Sequence, residues 1–455
     1  MKNTDVLIIG GSAAGMVTAV TGKSHWPEKD FILVKKQKDM MVPCGIPYIF
    51  GTLGSSEKNL MPVDAIMQKN GITSLVDEAV EINTNNKVVS FASGEKIAYQ
   101  KLVIATGSTP VKPKWLLGAD LENVFVIPKD RDYLDDMKSK LGQAKNIAVI
   151  GAGFIGVELS DELTKHGYKV TLIEKLPHIL NLAFDIEIAE KIHEMLAQRG
   201  VNIIVGKGIS QVHGAGKVEA IELEDGQKME MDAVVLSIGY KPNTELAKKS
   251  GIYIDEDNFI AVDEYMRTHV KDVFAVGDCA QKRDFVTRSR VSTMLASTAC
   301  AEARIAGMNL FNLNVVKTFS GTIAIYSTAI GDTGFGTAGV TELRAEQEGI
   351  ATVTGLFEGI NRHPGNLPDT HLQIVKLIAA KNSGVIIGGE AIGGAETGEL
   401  TNVIGLAIQN RMSVNSFLTM QIGTHPCLTA SPAAYPLVKA AEIIAIKILK
   451  NMKEQ

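Results

Sequence analysis

The sequence predicts an α/β chain, with two Rossmann-like dinucleotide-binding domains followed by a C-terminal α+β domain. Three observations predict it. The apolar run Asp5-Val6-Leu7-Ile8-Ile9 leads directly into Gly10-Gly11-Ser12-Ala13-Ala14-Gly15, the order of strand, tight turn and helix. That order recurs at Asn146-Ile147-Ala148-Val149-Ile150 and Gly151-Ala152-Gly153-Phe154-Ile155-Gly156. From about Thr322 the character changes: strands at Thr322–Ser327, Leu372–Ala380 and Val385–Ala391, helices at Glu396–Asn410 and Pro432–Lys450, and no third nucleotide loop.

A chain of 455 residues is too long for one hydrophobic core, so several domains are expected. A net charge of −5 offers no basic surface, and no apolar stretch approaches the roughly 20 residues of a membrane span, which argues against nucleic acid and membrane as partners. The four cysteines, Cys44, Cys279, Cys300 and Cys427, lie far apart without metal-ligand spacing. Neither a metal site nor a disulfide framework is expected, and a reducing cytoplasm fits best.

In the first loop Gly10 permits the turn, Ser12, Ala13 and Ala14 let a pyrophosphate approach the backbone, and Gly15 lets helix pack on strand. A plain strand-to-helix turn also fits these residues. The next strand, Phe31-Ile32-Leu33-Val34, ends in Lys35-Lys36, where an acidic residue would ordinarily bind a ribose. Lys101 to Ser108 gives another buried strand, whose end at Ala105-Thr106-Gly107 can return the chain to the nucleotide.

Between the two loops stands Cys44, in Val42-Pro43-Cys44-Gly45-Ile46-Pro47-Tyr48. We expect it to open a short helix whose free N–H groups lower the thiol pKa, making it a redox thiol, with Gly45 and Pro47 letting the backbone lie against a flat partner. A small buried hydrophobe is the alternative.

The second loop has all three glycines, Gly151, Gly153 and Gly156, and Glu174 follows at the end of the next strand, where a carboxylate binds a 2′-hydroxyl and repels a 2′-phosphate. NADH is therefore favoured over NADPH, with Lys175 as the opposing feature. The apolar strand from Ala233 to Gly239 reads as an exit from the nucleotide domain, and Val270-Lys271-Asp272-Val273-Phe274-Ala275-Val276 leads into Gly277-Asp278 and a long helical stretch. Asp278 can accept a hydrogen bond from a sugar-alcohol hydroxyl, while Cys279 reads as packing. Gly388-Gly389 and Gly393-Gly394 read as turns, and Thr424-His425-Pro426-Cys427 as a rigid turn presenting imidazole and thiol.

Two nucleotide loops in tandem, Gly277-Asp278 after the second, a thiol after the first and a terminal mixed domain resemble the FAD-dependent pyridine nucleotide–disulfide oxidoreductases over nearly the whole chain. Cys44-Gly45-Ile46-Pro47-Tyr48 is similar to the single-cysteine branch: coenzyme A disulfide reductases, NADH oxidases and NAD(P)H-dependent persulfide or polysulfide reductases. Two-cysteine members have their second thiol where this chain has Ile49. The resemblance implies an FAD domain at 1–115 with 246–321, an NAD(P)H domain at 116–245 and a dimerisation domain at 322–455. It implies FAD at Gly10 to Gly15, Ala105-Thr106-Gly107 and Gly277-Asp278, with Lys35 mismatched, and NADH at Gly151, Gly153, Ile155, Gly156 and Glu174, beside Gly239. Phe154 falls where an aromatic ring often covers the flavin, and Glu158 matches a carboxylate near it.

The resemblance also casts His425 from a partner subunit as acid–base catalyst, although Ala430 stands where two-cysteine members place an orienting glutamate. Arg362-His363-Pro364-Gly365 lies where coenzyme A disulfide reductases place aromatic residues. Lys23-Ser24-His25 is a thin charge for coenzyme A phosphates. The expected activity is transfer of electrons from NADH through FAD to Cys44, then to a small disulfide, persulfide, polysulfide or coenzyme A disulfide, in a homodimer. One alternative is reduction of oxygen or peroxide. Another, of a different class, is a slow NADH-responsive redox sensor or electron donor to a protein.

Overall fold

A computed structural model describes residues 1–453, which form two compact units: 1–175 with 207–283 and 290–321, and 176–206 with 284–289 and 322–453. The first unit opens with β1 (Lys2–Ile9), α1 (Ala13–His25) and β2 (Phe31–Lys35). Val6 to Ile9 and Phe31 to Val34 are buried on both faces, and this explains why no polar alternation marks them in the sequence. β1 lies parallel between β2 and β4 (Lys96–Ile104). Beyond β2 the sheet continues through β3 (Thr73–Val76), which follows α2 (Val63–Lys69).

β5 (Ser108–Pro110) leads out of this sheet, and a second parallel sheet contains β6 (Val124–Val126), β7 (Asn146–Ile150), β8 (Lys169–Glu174) and β9 (Ala233–Leu236), in the order β6-β9-β7-β8. α3 (Arg131–Leu141) and α4 (Phe154–Lys165) connect its strands. β10 (Tyr240–Pro242) pairs antiparallel with β5 and brings the chain back to the first sheet, where β11 (Val273–Ala275) joins β4 in parallel. The long helix expected directly after Asp278 is displaced: residues 282–291 form a small hairpin, and α5 begins only at Ala296 and runs to Met308.

In the second unit five antiparallel strands, β12 (Tyr326–Ile330), β13 (Thr333–Gly339), β14 (Thr352–Ile360), β15 (Leu372–Ala380) and β16 (Ile386–Gly393), run in the order β12-β13-β16-β15-β14. α6 (Thr397–Gln409) and α7 (Pro436–Lys453) pack on this sheet. The first strand begins at Tyr326 and not at Thr322. Gly388, Gly389 and Gly393 are strand residues, not turns: a Cβ on Gly388 would collide with the Val340 carbonyl, and one on Gly389 would press into Ile404 of α6. Close packing, not a change of direction, demands these glycines.

The helix Ile186–Gln198 belongs to this second unit. Lys376 of β15, 2% exposed, reaches Asp185 at 2.7 Å and Glu187 and Glu342 at 2.5 Å each, so the three carboxylates surround an ammonium already in place.

Candidate active site

The first loop sits at the C-terminal edge of the first sheet. Gly10 N–H donates to the Val34 carbonyl at 2.8 Å, Ala105 N–H to Ile9 at 2.8 Å, and Val276 N–H to Ile104 at 3.0 Å, so the ends of β1, β2, β4 and β11 converge. Gly10, at φ +121°, has no room for a Cβ against Ala105, and a Cβ on Gly15 would collide with the Gly10 carbonyl. Gly277 lies 2.8 Å, by its virtual Cβ, from Ala14. Gly10 to Gly15, Ala105 to Gly107 and Gly277-Asp278, scattered over the sequence, are thus one place in the fold.

Whether a dinucleotide fits there is decided by the helix ends. α1 has Ser12 and α4 has Gly153 at its N-cap; neither helix has a side-chain cap bond or an acidic residue in its first turn, as an anion-binding helix start requires. A Cβ on Gly153 would meet nothing within 4 Å, which marks the open side of the second loop. There Gly151 N–H bonds the Ile173 carbonyl at 2.8 Å, and Glu174 accepts the Ala152 N–H at 2.7 Å, placing its carboxylate against the loop. Lys175 turns to Glu224 at 2.9 Å. Lys35 is buried; its chain lies over Gly11 and its ammonium pairs with Asp64 at 2.9 Å, so a cation–carboxylate pair stands where one carboxylate is usual.

Cys44 does not open a helix of any length. It is the middle residue of a three-residue 3-10 turn, Pro43–Gly45, followed by a second turn, Pro47–Phe50. Asn59 fixes this segment: its amide donates to the Val42 carbonyl at 3.0 Å, its own carbonyl accepts the Val42 N–H at 2.9 Å, and its side chain fills the space a Cβ on Gly45 would take. The thiol reaches solvent, yet desolvation by the surrounding protein raises its pKa, Glu158 adds to this, Lys129 opposes, and Asp278 raises it again. The expected lowering by helix N–H groups is therefore not found: one tight turn has no macrodipole, and two carboxylates face the sulfur. Tyr48, pushed up to about 12 by burial first and Glu158 second, is a neutral hydroxyl at neutral pH.

α4 ties this segment to the second loop. Glu162 accepts the Thr52 N–H and, at 2.7 Å, the Thr52 hydroxyl, while Lys138 of α3 donates to the Ile49 carbonyl at 3.1 Å. Phe154 and Ile155 are half-buried at the start of α4, and Glu158 follows one turn on. Gly239, at φ +102°, is exposed and accepts the Val111 N–H at 3.0 Å.

Four further residues lay outside the sequence reading. Ser108 donates to Asp278 at 2.7 Å and Lys129 reaches the same carboxylate oxygen at 2.8 Å. Burial alone would raise the Asp278 carboxyl, but Lys129, Ser108 and Lys282 together outweigh it and the group stays below the usual carboxylate range. Beneath the turn Gly277–Cys279, Glu302 of α5 accepts the Gly277 N–H at 2.7 Å and Lys282 donates to the Gly277 carbonyl at 2.6 Å. Cys279 packs in the core, with its sulfur against backbone carbonyls.

His425 lies in the second unit and is exposed. Its Nδ1 accepts the Cys427 N–H at 3.2 Å, so the neutral ring carries its proton on Nε2. His363 packs beside this turn, its N–H donating to the Pro426 carbonyl at 3.3 Å and its Nδ1 lying 3.2 Å from the Thr429 carbonyl. Ala430 is buried.

The first unit thus brings together two helix starts without side-chain caps, an open glycine loop and an accessible thiol. Residues 4–303 match the pyridine nucleotide-disulphide oxidoreductase family and residues 325–434 its dimerisation domain. The chain belongs to this family of FAD- and NAD(P)H-dependent oxidoreductases. It is 29% identical to an NADH oxidase of Methanocaldococcus jannaschii over 98% of this chain and 99% of that protein. It is 32% identical to an NAD(P)H coenzyme A polysulfide/persulfide reductase of Pyrococcus horikoshii over 79% and 82%. Among solved structures, an NAD-dependent persulfide reductase from A. fulgidus superposes with a TM-score of 0.89 at 27% identity, covering 99% of this chain and 84% of that one. Among the described residues, no helix is long and apolar enough to cross a membrane.

Proposed function

We propose that the chain transfers electrons from NADH, received at the second loop, through the Cys44 sulfur to a small disulfide, persulfide or polysulfide, and that the first loop would hold FAD. The observation that carries this reading is an accessible thiol, held on its turn by Asn59, in the field of Glu158 from the very helix that starts at the second loop. Bound flavin supplies the hydride acceptance and two-electron delivery that side chains lack. Gly10, Ser12, Ala13, Ala14 and Gly15 would hold its pyrophosphate, and Ala105, Thr106, Gly107, Gly277 and Asp278 its sugar-alcohol side. The Lys35–Asp64 pair would stand beside the adenosine ribose.

Gly151, Gly153, Ile155 and Gly156 would receive the NADH pyrophosphate, with Phe154, Glu158 and Gly239 near the nicotinamide. Cys44 attacks as thiolate, one sulfur–sulfur bond breaks and a mixed disulfide or persulfide forms on Cys44. The departing thiolate takes a proton. In a homodimer, His425 of a second copy would give it from Nε2. The two electrons NADH supplies as hydride would then cleave the remaining sulfur–sulfur bond, returning the Cys44 thiolate and releasing the second half of the acceptor as a thiol or as sulfide. Coenzyme A ranks below a smaller sulfur acceptor, since Lys23 spends its ammonium on the Pro27 and Lys29 carbonyls, at 3.0 and 2.7 Å. Four unpaired thiols support a reducing, cytoplasmic setting.

Anaerobic titration with NADH tests the reading: a long-wavelength absorbance band from a thiolate stacked on flavin is expected, discharged by the sulfur acceptor. Its absence would separate Cys44 from the flavin. The full-length likeness to an NADH oxidase favours oxygen as a second reading, selected if NADH is consumed in air and no sulfur acceptor turns over without it.

Glu174 against its loop, with Lys175 drawn off by Glu224, supports NADH over NADPH. Glu174→Gln is expected to narrow that preference about tenfold, or ~1.4 kcal/mol, read as the ratio of kcat/KM for the two nucleotides.

A further inference from the structure

We propose that Lys129 is a positioning residue for the Cys44 and flavin site: its ammonium holds the Asp278 carboxylate in place and serves as the cation that faces the Cys44 sulfur. The geometry comes first. Lys129 follows β6 and precedes α3, and its Nζ lies 2.8 Å from Asp278 Oδ2 and 3.2 Å from the Ser108 hydroxyl, which itself donates to Asp278 at 2.7 Å. The ammonium also lies 5.7 Å from the centre of the Tyr240 ring.

An ordinary surface ion pair has both ends in water and is worth little. Here the side chains are 29% and 13% exposed, and two donors from different elements, Ser108 and Lys129, converge on one carboxylate oxygen. The second line is electrostatic. The charges acting most strongly on Cys44 are Glu158 from α4, Lys129, and Asp278 from the Gly277–Cys279 turn; only Lys129 favours the thiolate. Tyr48, from the segment of Cys44 itself, is neutral and adds no charge. Without Lys129 the sulfur would face two carboxylates alone, and Asp278 would lose the ammonium bonded to it.

This inference rests on Cys44 being the redox thiol, and its test reads the thiol directly and not turnover. The flavin-loaded protein is alkylated with iodoacetamide across pH, and modification at Cys44 is located by peptide mass spectrometry. Lys129→Gln is expected to move the midpoint of the rate profile up by about one pH unit, a roughly tenfold loss of reactive thiolate at neutral pH. Lys129→Arg, which keeps the charge, is expected to restore the wild-type profile.

An unchanged midpoint in Lys129→Gln overturns the proposal, as does an arginine variant that behaves like glutamine. If Lys129→Gln sheds its flavin, the arginine variant decides alone: flavin kept and midpoint unmoved supports the assignment, a raised midpoint overturns it. A Cys44 that titrates as expected but proves dispensable for turnover would refute the proposed redox role and leave the Lys129 result standing.

Discussion

Cys44→Ser is expected to lower NADH-dependent reduction of a disulfide or polysulfide by about 10³-fold or more, while NADH still bleaches the flavin absorbance at its normal rate. The two readouts divide the reaction where the proposed mechanism divides it. Bleaching reports the half-reaction that needs the glycine loops, Glu174 and the flavin; acceptor turnover needs a sulfur that can be bonded to another sulfur and released. A serine hydroxyl has nearly the same size and keeps the 3-10 turn, which is held by Asn59 and not by the thiol. Any loss is then chemical and not structural. Retained sulfur reduction in the variant would remove Cys44 from the mechanism, and retained oxygen consumption with hydrogen peroxide as product would separate the oxidase reading from the sulfur one.

How far the sequence reveals such a site depends on the range of the interactions that make it. The two nucleotide loops are local: a buried strand, a tight glycine turn and a helix start fall within about a dozen residues, so Gly10 to Gly15 and Gly151 to Gly156 can be read directly. Strands β2, β7 and β15 announce themselves as apolar runs for the same reason. The surroundings of Cys44 are not local. Lys129 is 149 residues from Asp278, and Thr52 is 110 from Glu162; each is an unremarkable polar residue until the fold brings it home. The glycines of β16 mislead for the converse reason, since the partner that forbids a side chain at Gly389 lies on another element. A lone cysteine before a glycine looks like a helix start, and only backbone geometry shows a turn too short to carry a dipole.

The buried pair beneath the Gly277–Cys279 turn sets the second large effect: Glu302→Ala is expected to destabilise the protein by roughly 3–5 kcal/mol and to weaken flavin retention. Both side chains are fully buried, with Lys282 Nζ 3.4 Å from Glu302 Oε1. Removing the carboxylate strands an ammonium in the core and leaves the Gly277 N–H without its acceptor, and an uncompensated buried charge costs far more than the pair contributes. A double variant, Glu302→Leu with Lys282→Met, removes both charges together and is expected to recover most of the melting temperature. It leaves the turn without both bonds, so flavin retention should stay impaired; recovery of both properties would show that the pair serves stability alone.

The pH dependence gives an independent check. Burial first, opposed by Lys282, pushes the Glu302 carboxyl up to about 7, above its ordinary value of 4.5. The folded chain therefore holds this proton more tightly than the unfolded one, so the contribution is complete below about 4.5, is lost progressively as pH rises towards 7, and changes little above that. Glu302→Gln keeps an oxygen for the Gly277 N–H but cannot titrate. Melting curves of the two proteins should converge in shape above pH 7 and diverge in slope between pH 5 and 7, with the glutamine variant flatter; parallel curves through that window would mean that Glu302 stays ionised beside Lys282 throughout.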